Sequence, residues 1–403
     1  NISSGIPYGA FTRVIREDSK DKNLLYAGTE KGMYISRNRG TSWEAFQLNL
    51  PVTPILDLKI AHEDLVVATS GRSFWILDDL SLVREMEKTV QAPKIYTPEV
   101  SYLGSWSSPL SRSNSDFDGT DPFEGVNPAN GVVVYYHLAE NTTDSIKVSL
   151  EIHDESGNLI RTITSEKNPD FKTYDGGPSP EPTLSVKKGI NRFVWDMRYP
   201  TMPGIPTAYL EASYRGHQVV PGTYKLILKN GNQTSETSVI IKPNPLYEIT
   251  MADYREYDAF MKTREAELTE MHNMVNQIMG YQTQLKALLT KTKEKEEFKS
   301  LNETGNPLQK SLQNWDEKMI QRKSTAYDDV ENFPNKFTAN YLYMINQTES
   351  PIPKVNKGSK DRYAELWEEW KSLKAEGEKL LNESVPAFNQ KAQKAGVGVL
   401  FVK

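Results

Sequence analysis

Cysteine is absent from the 403-residue chain. That excludes disulfides, thiolate metal sites and cysteine nucleophiles together. It does not assign a reducing compartment, because many secreted bacterial proteins lack cysteine too. Histidine is scarce: His62, His137, His153, His217 and His272 are never three or four residues apart, and no H-E-x-x-H occurs. A zincin-type site is therefore excluded. G-x-S-x-G, P-loop and dinucleotide fingerprints are missing as well. No apolar run approaches the roughly 20 residues of a membrane-spanning helix. Neither sign of charge dominates: 48 Lys and Arg against 53 Asp and Glu leave a net charge of −5, which gives nucleic acid no footing as a partner. No signal peptide is visible, but the chain opens on Asn1 rather than Met and enters a repeat almost at once. It reads as part of a longer precursor, so the missing signal is uninformative.

What is present centres on Leu24 to Trp43, LLYAGTEKGMYISRNRGTSW. Short β-prone runs, Leu24 to Ala27 and Met33 to Ile35, are punctuated by Gly28 and Gly32. Then follows Ser36-x-Asn38-x-Gly40-x-Ser42-Trp43. The turn chemistry is legible: Asn38 can bond back to nearby backbone N–H groups, Gly40 tolerates φ > 0, and Trp43 opens the next strand with a large packing face. This spacing resembles the Asp-box, S/T-x-D-x-G-x-T-W, of sialidase-like and sortilin-like β-propellers, with Asn38 and Ser42 as conservative departures. The resemblance implies a structural rather than a catalytic role for Ser36, Asn38, Gly40, Ser42 and Trp43.

A second unit repeats the cadence. Ile55 to Ile60, a turn at His62-Glu63-Asp64, Leu65 to Thr69, Gly71, and Ser73 to Asp79 echo the first. Periodicity of this kind marks a propeller or array. Residues 1–85 thus read as the last blades of a propeller, and two blades cannot close a ring. Left alone they would expose sheet edges and apolar faces, so another segment or chain is expected to complete them. The phrases Val14 to Asp18, Asn23 to Gly32 and Gly71 to Asp79 resemble the ends of large BNR-repeat, sortilin-like proteins of Bacteroidetes type, often labelled glycosyl hydrolase. That label implies a fold more than a chemistry.

Residues 86–130 read as a connector. Within it, Asp116, Asp118 and Asp121 surround Gly119, a pattern that can offer oxygens to Ca²⁺, or equally form a solvated polar loop without the distal Glu of an EF-hand. Residues 131–245 read as an all-β sandwich: Val132 to Leu138 is a buried-type strand, and Ile146, Val148, Leu150 and Ile152 alternate on one face. N-R-F-x-W-D at Asn191 and P-G-x-Y at Pro221 resemble the Ig-like module of flagellar-hook-cap type. Asp144-Ser145-Ile146 fits the Bacteroidetes O-glycosylation pattern at Ser145, although a plain strand start explains Ser145 as well.

From residue 246 the composition turns to Lys, Glu, Gln and Met. Met271, Met274, Val275, Ile278, Leu285 and Leu289 recur at helical steps. Asn306-Pro307 is expected to restart a helix carrying Leu308, Leu312, Trp315 and Met319, and a further helix is expected near Ser359 with Leu366, Trp370 and Leu373. Residues 246–403 therefore predict an antiparallel helical bundle. The apolar tail Ala395 to Val402 reads as a last strand.

The predicted fold is thus multidomain β plus α, with terminal β-propeller blades, an Ig-like sandwich and a C-terminal bundle. No catalytic residue is assigned, and no cofactor beyond the calcium reading. Asp78-Asp79 and Glu63-Asp64 are paired carboxylates at turns, where solvation explains them. Arg72, beside Gly71, is a channel or ligand contact for something anionic, grouped with Asp78 and Asp79. Tyr102 to Trp106 could stack on sugar rings or cover the blade–sandwich junction. The expectation is a non-catalytic binding or scaffold part, on the outside of a bacterium or in its periplasm, recognising a peptide, protein or glycan, with the bundle facing other surface proteins. The alternative is a sialidase-like glycoside hydrolase whose catalytic residues lie mostly upstream.

Overall fold

The computed structural model describes residues 2–86, 90–111, 126–140, 147–350 and 352–402. Asp116, Asp118, Asp121 and Ser145 lie outside the described residues.

The first sheet is an antiparallel meander of β1 (Thr12–Glu17), β2 (Leu25–Thr29), β3 (Gly32–Ser36) and β4 (Glu44–Ala45), paired in that order. The second is a meander of β5 (Ile55–Ala61), β6 (Asp64–Thr69) and β7 (Phe74–Leu77), followed by the short helix α1 (Leu80–Glu85). Ala61 pairs with Asp64, so the β5–β6 turn is only His62 and Glu63, both left-handed with φ of 52° and 75°. Two successive positive φ values give the hairpin the twist its strands require, here without glycine. Val14, Tyr26, Ile35, Ile55, Leu58 and Leu65 are among the side chains of one core shared by the two sheets. Gly28 permits that approach, since a Cβ there would stand 2.6 Å from Ile55.

Two further sheets follow. β8 (Lys94–Ile95), β10 (Val132–Leu138) and β13 (Gly189–Trp195) form one in the order β13-β10-β8. The other runs β12-β11-β14-β15-β9, from β9 (Ser101–Tyr102), β11 (Val148–His153), β12 (Leu159–Thr164), β14 (Gly222–Asn230) and β15 (Gln233–Lys242). Alternation sets the faces: Val132, Val134, Tyr136 and Leu138 point inward, as do Val148, Leu150 and Ile152. Trp195 of one sheet meets Tyr224 of the other with ring centroids 5.5 Å apart. Asn230 and Gln233 close the β14–β15 hairpin around left-handed Gly231.

The helical region comprises α2 (Met251–Thr292), α3 (Lys299–Met319), α4 (Phe337–Thr348), α5 (Lys357–Lys379) and α6 (Val385–Lys394). A capping box, Thr250 with Asp253, starts α2. Trp315 is fully buried and donates its indole N–H to the Leu373 carbonyl at 2.8 Å, tying α3 to α5. Phe337 of α4 stacks on Trp370 of α5 at 5.9 Å. A π-helical turn over Leu380–Ser384 joins α5 to α6. Pro386 has no N–H to return to the preceding turn, and a widened turn is one way the helix accommodates that.

Two expectations are corrected. Asn306-Pro307 does not restart a helix: α3 runs through Pro307, because Leu301 extends the buried stripe about two turns upstream of Leu308 and packing overrides the proline's local cost. The tail is no strand over residues 395–402. Side-chain amides answer its backbone instead: Asn389 bonds both the N–H (2.8 Å) and the carbonyl (2.9 Å) of Leu400, and Gln284 likewise holds Phe401 at 2.9 and 2.6 Å.

Backbone contacts divide the chain into two units. One holds residues 1–165, 184–196 and 222–242; the other holds 166–183, 197–221 and 243–403. The second unit therefore combines the helices with two segments that are distant from them in sequence.

Candidate functional site

The residues Ser36, Asn38, Gly40, Ser42 and Trp43 form a closed turn. Ser36 Oγ accepts the Gly40 N–H at 2.8 Å and bonds Asn38 Oδ1 at 3.0 Å. Asn38 Oδ1 also accepts the Ser42 N–H at 2.9 Å, and its Nδ2 donates to Ser42 Oγ at 2.9 Å. Gly40 has φ 84°. Trp43 is buried, and its indole N–H donates to the Ile2 carbonyl at 2.6 Å. These polar atoms are occupied within the turn and, for Trp43, by Ile2 near the start of the chain.

Arg72 is exposed in the β6–β7 turn, where its backbone N–H donates to Thr69 Oγ1 at 3.1 Å. Asp78 and Asp79 lie beyond the other end of β7. The four residues of β7 at roughly 3.3 Å each keep Arg72 apart from them. Asp79 is half-buried and caps α1, accepting the Ser81 N–H at 2.8 Å while its own N–H donates to Asp64 Oδ1 at 3.0 Å.

The structure does bring together carboxylates that the sequence leaves scattered. Asp18 is fully buried and takes a two-pronged contact from Arg84, Nε at 2.9 Å and Nη2 at 3.1 Å. Arg84 also bonds Glu63, which Lys20 reaches at 2.9 Å. Burial pushes the Asp18 carboxyl up, but Arg84 and the backbone N–H groups of Lys20 and Asp21 outweigh it and hold it below the ordinary range. Asp64, Asp78, Asp79 and Glu99 form the other side of this acidic corner, with no ion pair among the described residues. Glu99 is pushed up to about 7 by burial, by the charges of Asp79, Asp64 and Glu63, and by a hydrogen bond with Asp79. Asp78 is also raised, through partial burial of its carboxyl beside Asp64 and Asp79, although the residue as a whole stays exposed. Glu99 was not singled out in the sequence. It follows an unremarkable Tyr96-Thr97-Pro98, and no local pattern marks it.

Chemically, the corner is one carboxyl whose proton affinity is raised toward neutrality among other carboxyl groups. Among the described residues no group of three or more His, Asp or Glu is placed to hold a metal ion. A shallow groove of about 710 Å³ lies over the five-stranded sheet, where Lys225 and Glu236 pair at 2.8 Å. Exposed large apolar side chains are frequent before residue 77: Tyr8, Phe11, Leu48, Val52, and on edge strand β7 Phe74 (74% exposed) and Ile76 (60%), which share one face.

No protein-family model matches this chain, and no curated protein matches it. Among solved structures it is similar to the extracellular domain of a protein described as a hybrid two-component system from B. thetaiotaomicron, at 11% identity and a TM-score of 0.16. The match spans 59% of this chain and 26% of that one, and a likeness this slight bears on neither fold nor function. Among the described residues no helix is long and apolar enough to cross a membrane.

Proposed function

We propose that this chain is a non-catalytic binding or scaffold part of a secreted or cell-surface protein of the sortilin-like propeller kind. In this reading residues 1–85 are β-propeller blades that further blades of the same repeat complete, residues 131–245 are an Ig-like module, and the helical region offers a face to partner proteins. The observation that carries it is β7: an edge strand with one side unpaired among the described residues and with Phe74 and Ile76 turned outward. An unpaired edge with apolar residues on one face is a template for another sheet. The internally satisfied Asp-box turn supports a structural role for that motif. A peptide, protein or glycan is then bound by the completed assembly, outside the cell or in the periplasm.

The test is intact mass with N-terminal sequencing of natively purified material. A co-purifying propeller-sized polypeptide, or a chain extending upstream of Asn1, is expected. A stable 403-residue monomer overturns the propeller reading of residues 1–85.

One observation favours the glycosidase alternative. Glu99 keeps its proton near neutrality beside Asp79, and a glycosidase acid needs that property. Hydrolysis of aryl glycosides by the native assembly, abolished by Glu99→Gln, would replace the scaffold reading.

A further inference from the structure

His217 is buried without solvent contact, yet both ring nitrogens face carboxylates of α2. Nδ1 is 2.9 Å from Glu265 Oε2 and Nε2 is 3.2 Å from Asp258 Oδ1. The backbone N–H of His217 donates to the second Glu265 oxygen at 2.8 Å. Asp258 and Glu265 are about two helical turns apart, so they bracket the ring from one helix face. Tyr199 stacks on the imidazole at 4.4 Å, and Tyr257 meets it edge-on at 5.8 Å. The Tyr199 hydroxyl donates to Asp258 at 3.2 Å, and Lys262 pairs with the other Asp258 oxygen at 2.8 Å. Arg198, next in the segment, pairs with Glu349 and donates to the Gly216 carbonyl at 2.9 Å.

Neutral imidazole has a single N–H. With that proton on Nδ1, the Nε2 lone pair points at Asp258; with it on Nε2, the Nδ1 lone pair points at Glu265. Only the imidazolium answers both carboxylates. The charges then balance, His217 and Lys262 against Asp258 and Glu265.

We propose that His217 is a proton-operated latch, which fastens the 197–221 segment to α2 while it is charged and releases Asp258 when it is not. Release frees the Tyr199 stack and the isolated bridge between Arg198 and Gln218 that the latch backs. Asp258, whose side chain is 17% exposed, gives the proton its way out. Burial lowers the ring's proton affinity, but Asp258 and Glu265 outweigh that and hold it above the ordinary value of 6.5. Asp258 is held below the carboxylate range, against burial, by His217 and Lys262. A group raised on folding stabilises fully below its unfolded value and loses that contribution as pH climbs through its folded value. The latch therefore opens on the alkaline side. His272, also buried, is an internal contrast. With no carboxylate partner among the described residues, burial drives it down to about 4, and its Nδ1–H donates to the Pro203 carbonyl at 2.7 Å.

The experiment is an NMR titration of the histidine ring protons, paired with denaturant unfolding from about pH 6 to about pH 9. A His217 midpoint above that of free histidine is expected, moving down in Asp258→Asn, with His272 silent over the same range. The parent protein should lose stability across the window, and His217→Gln should lose less, keeping only the part that other groups such as Glu99 contribute near pH 7. A midpoint at or below the free value, one unmoved by Asp258→Asn, or an unchanged slope in His217→Gln overturns the latch. Should His217→Gln fail to fold, the Asp258→Asn titration decides alone.

Discussion

Asn38 closes its turn with a carboxamide. Its oxygen accepts from Ser36 Oγ and Ser42 N–H and its nitrogen donates to Ser42 Oγ, so one side chain serves both ends of the turn. Asn38→Ala removes these bonds and should cost about 1–2 kcal/mol in urea unfolding. Asn38→Asp should be near neutral, because the Ser42 hydroxyl can turn to donate. Glu99 makes a different prediction at the same scale. The fold holds its proton up to about 7, whereas the unfolded chain releases it near 4.5, so stability is greatest below that lower value and falls as pH rises toward 7. Glu99→Gln should flatten that slope, which amounts to on the order of 1–2 kcal/mol for a partly solvated carboxyl. Unfolding at about pH 5 and about pH 8 reads it.

Among the elements, α5 depends on a residue that propensity alone would disfavour. Gly377 costs helix stability in isolation, roughly 1 kcal/mol against alanine. Here a Cβ would stand 2.5 Å from Met274 Sδ and 2.9 Å from the Trp315 ring. Trp315 is fixed by its bond to Leu373, so it cannot easily give way. Gly377→Ala should therefore destabilise by about 1–3 kcal/mol rather than stabilise, as chemical denaturation will show. The same competition explains Pro307. Local chemistry marks a helix boundary there, but the stripe of Leu301, Leu308, Leu312 and Trp315 carries α3 past it.

For the whole molecule, the two units interleave along the sequence. Segments 166–183 and 197–221 belong with helices that begin only at Met251. Outward-facing apolar side chains gather before residue 77, and the proposed docking rests there. Phe74→Ser combined with Ile76→Ser should leave stability within about 0.5 kcal/mol, since both are exposed. The same pair should abolish co-purification of the completing blades, which pull-down and size-exclusion chromatography can follow. Retained co-purification would move the docking face elsewhere.

The sequence by itself determined the local structure. A continuous apolar run placed Val132 to Leu138, alternation placed Val148 to Ile152, three- and four-residue steps placed the core of α2, and small polar residues with glycine placed the turns at Asn38 and Asn230. Each of these depends on neighbours within one turn or one strand. The tertiary structure alone decided which ionisable groups meet. Arg84 reaches Asp18 across 66 residues, and His217 meets Asp258 and Glu265 across 41 and 48. It also separated Arg72 from Asp78 and Asp79, close in sequence but at opposite ends of β7. Such meetings depend on the path of the chain, which no short-range periodicity encodes, and burial then gives them proton affinities that their residue types alone do not have.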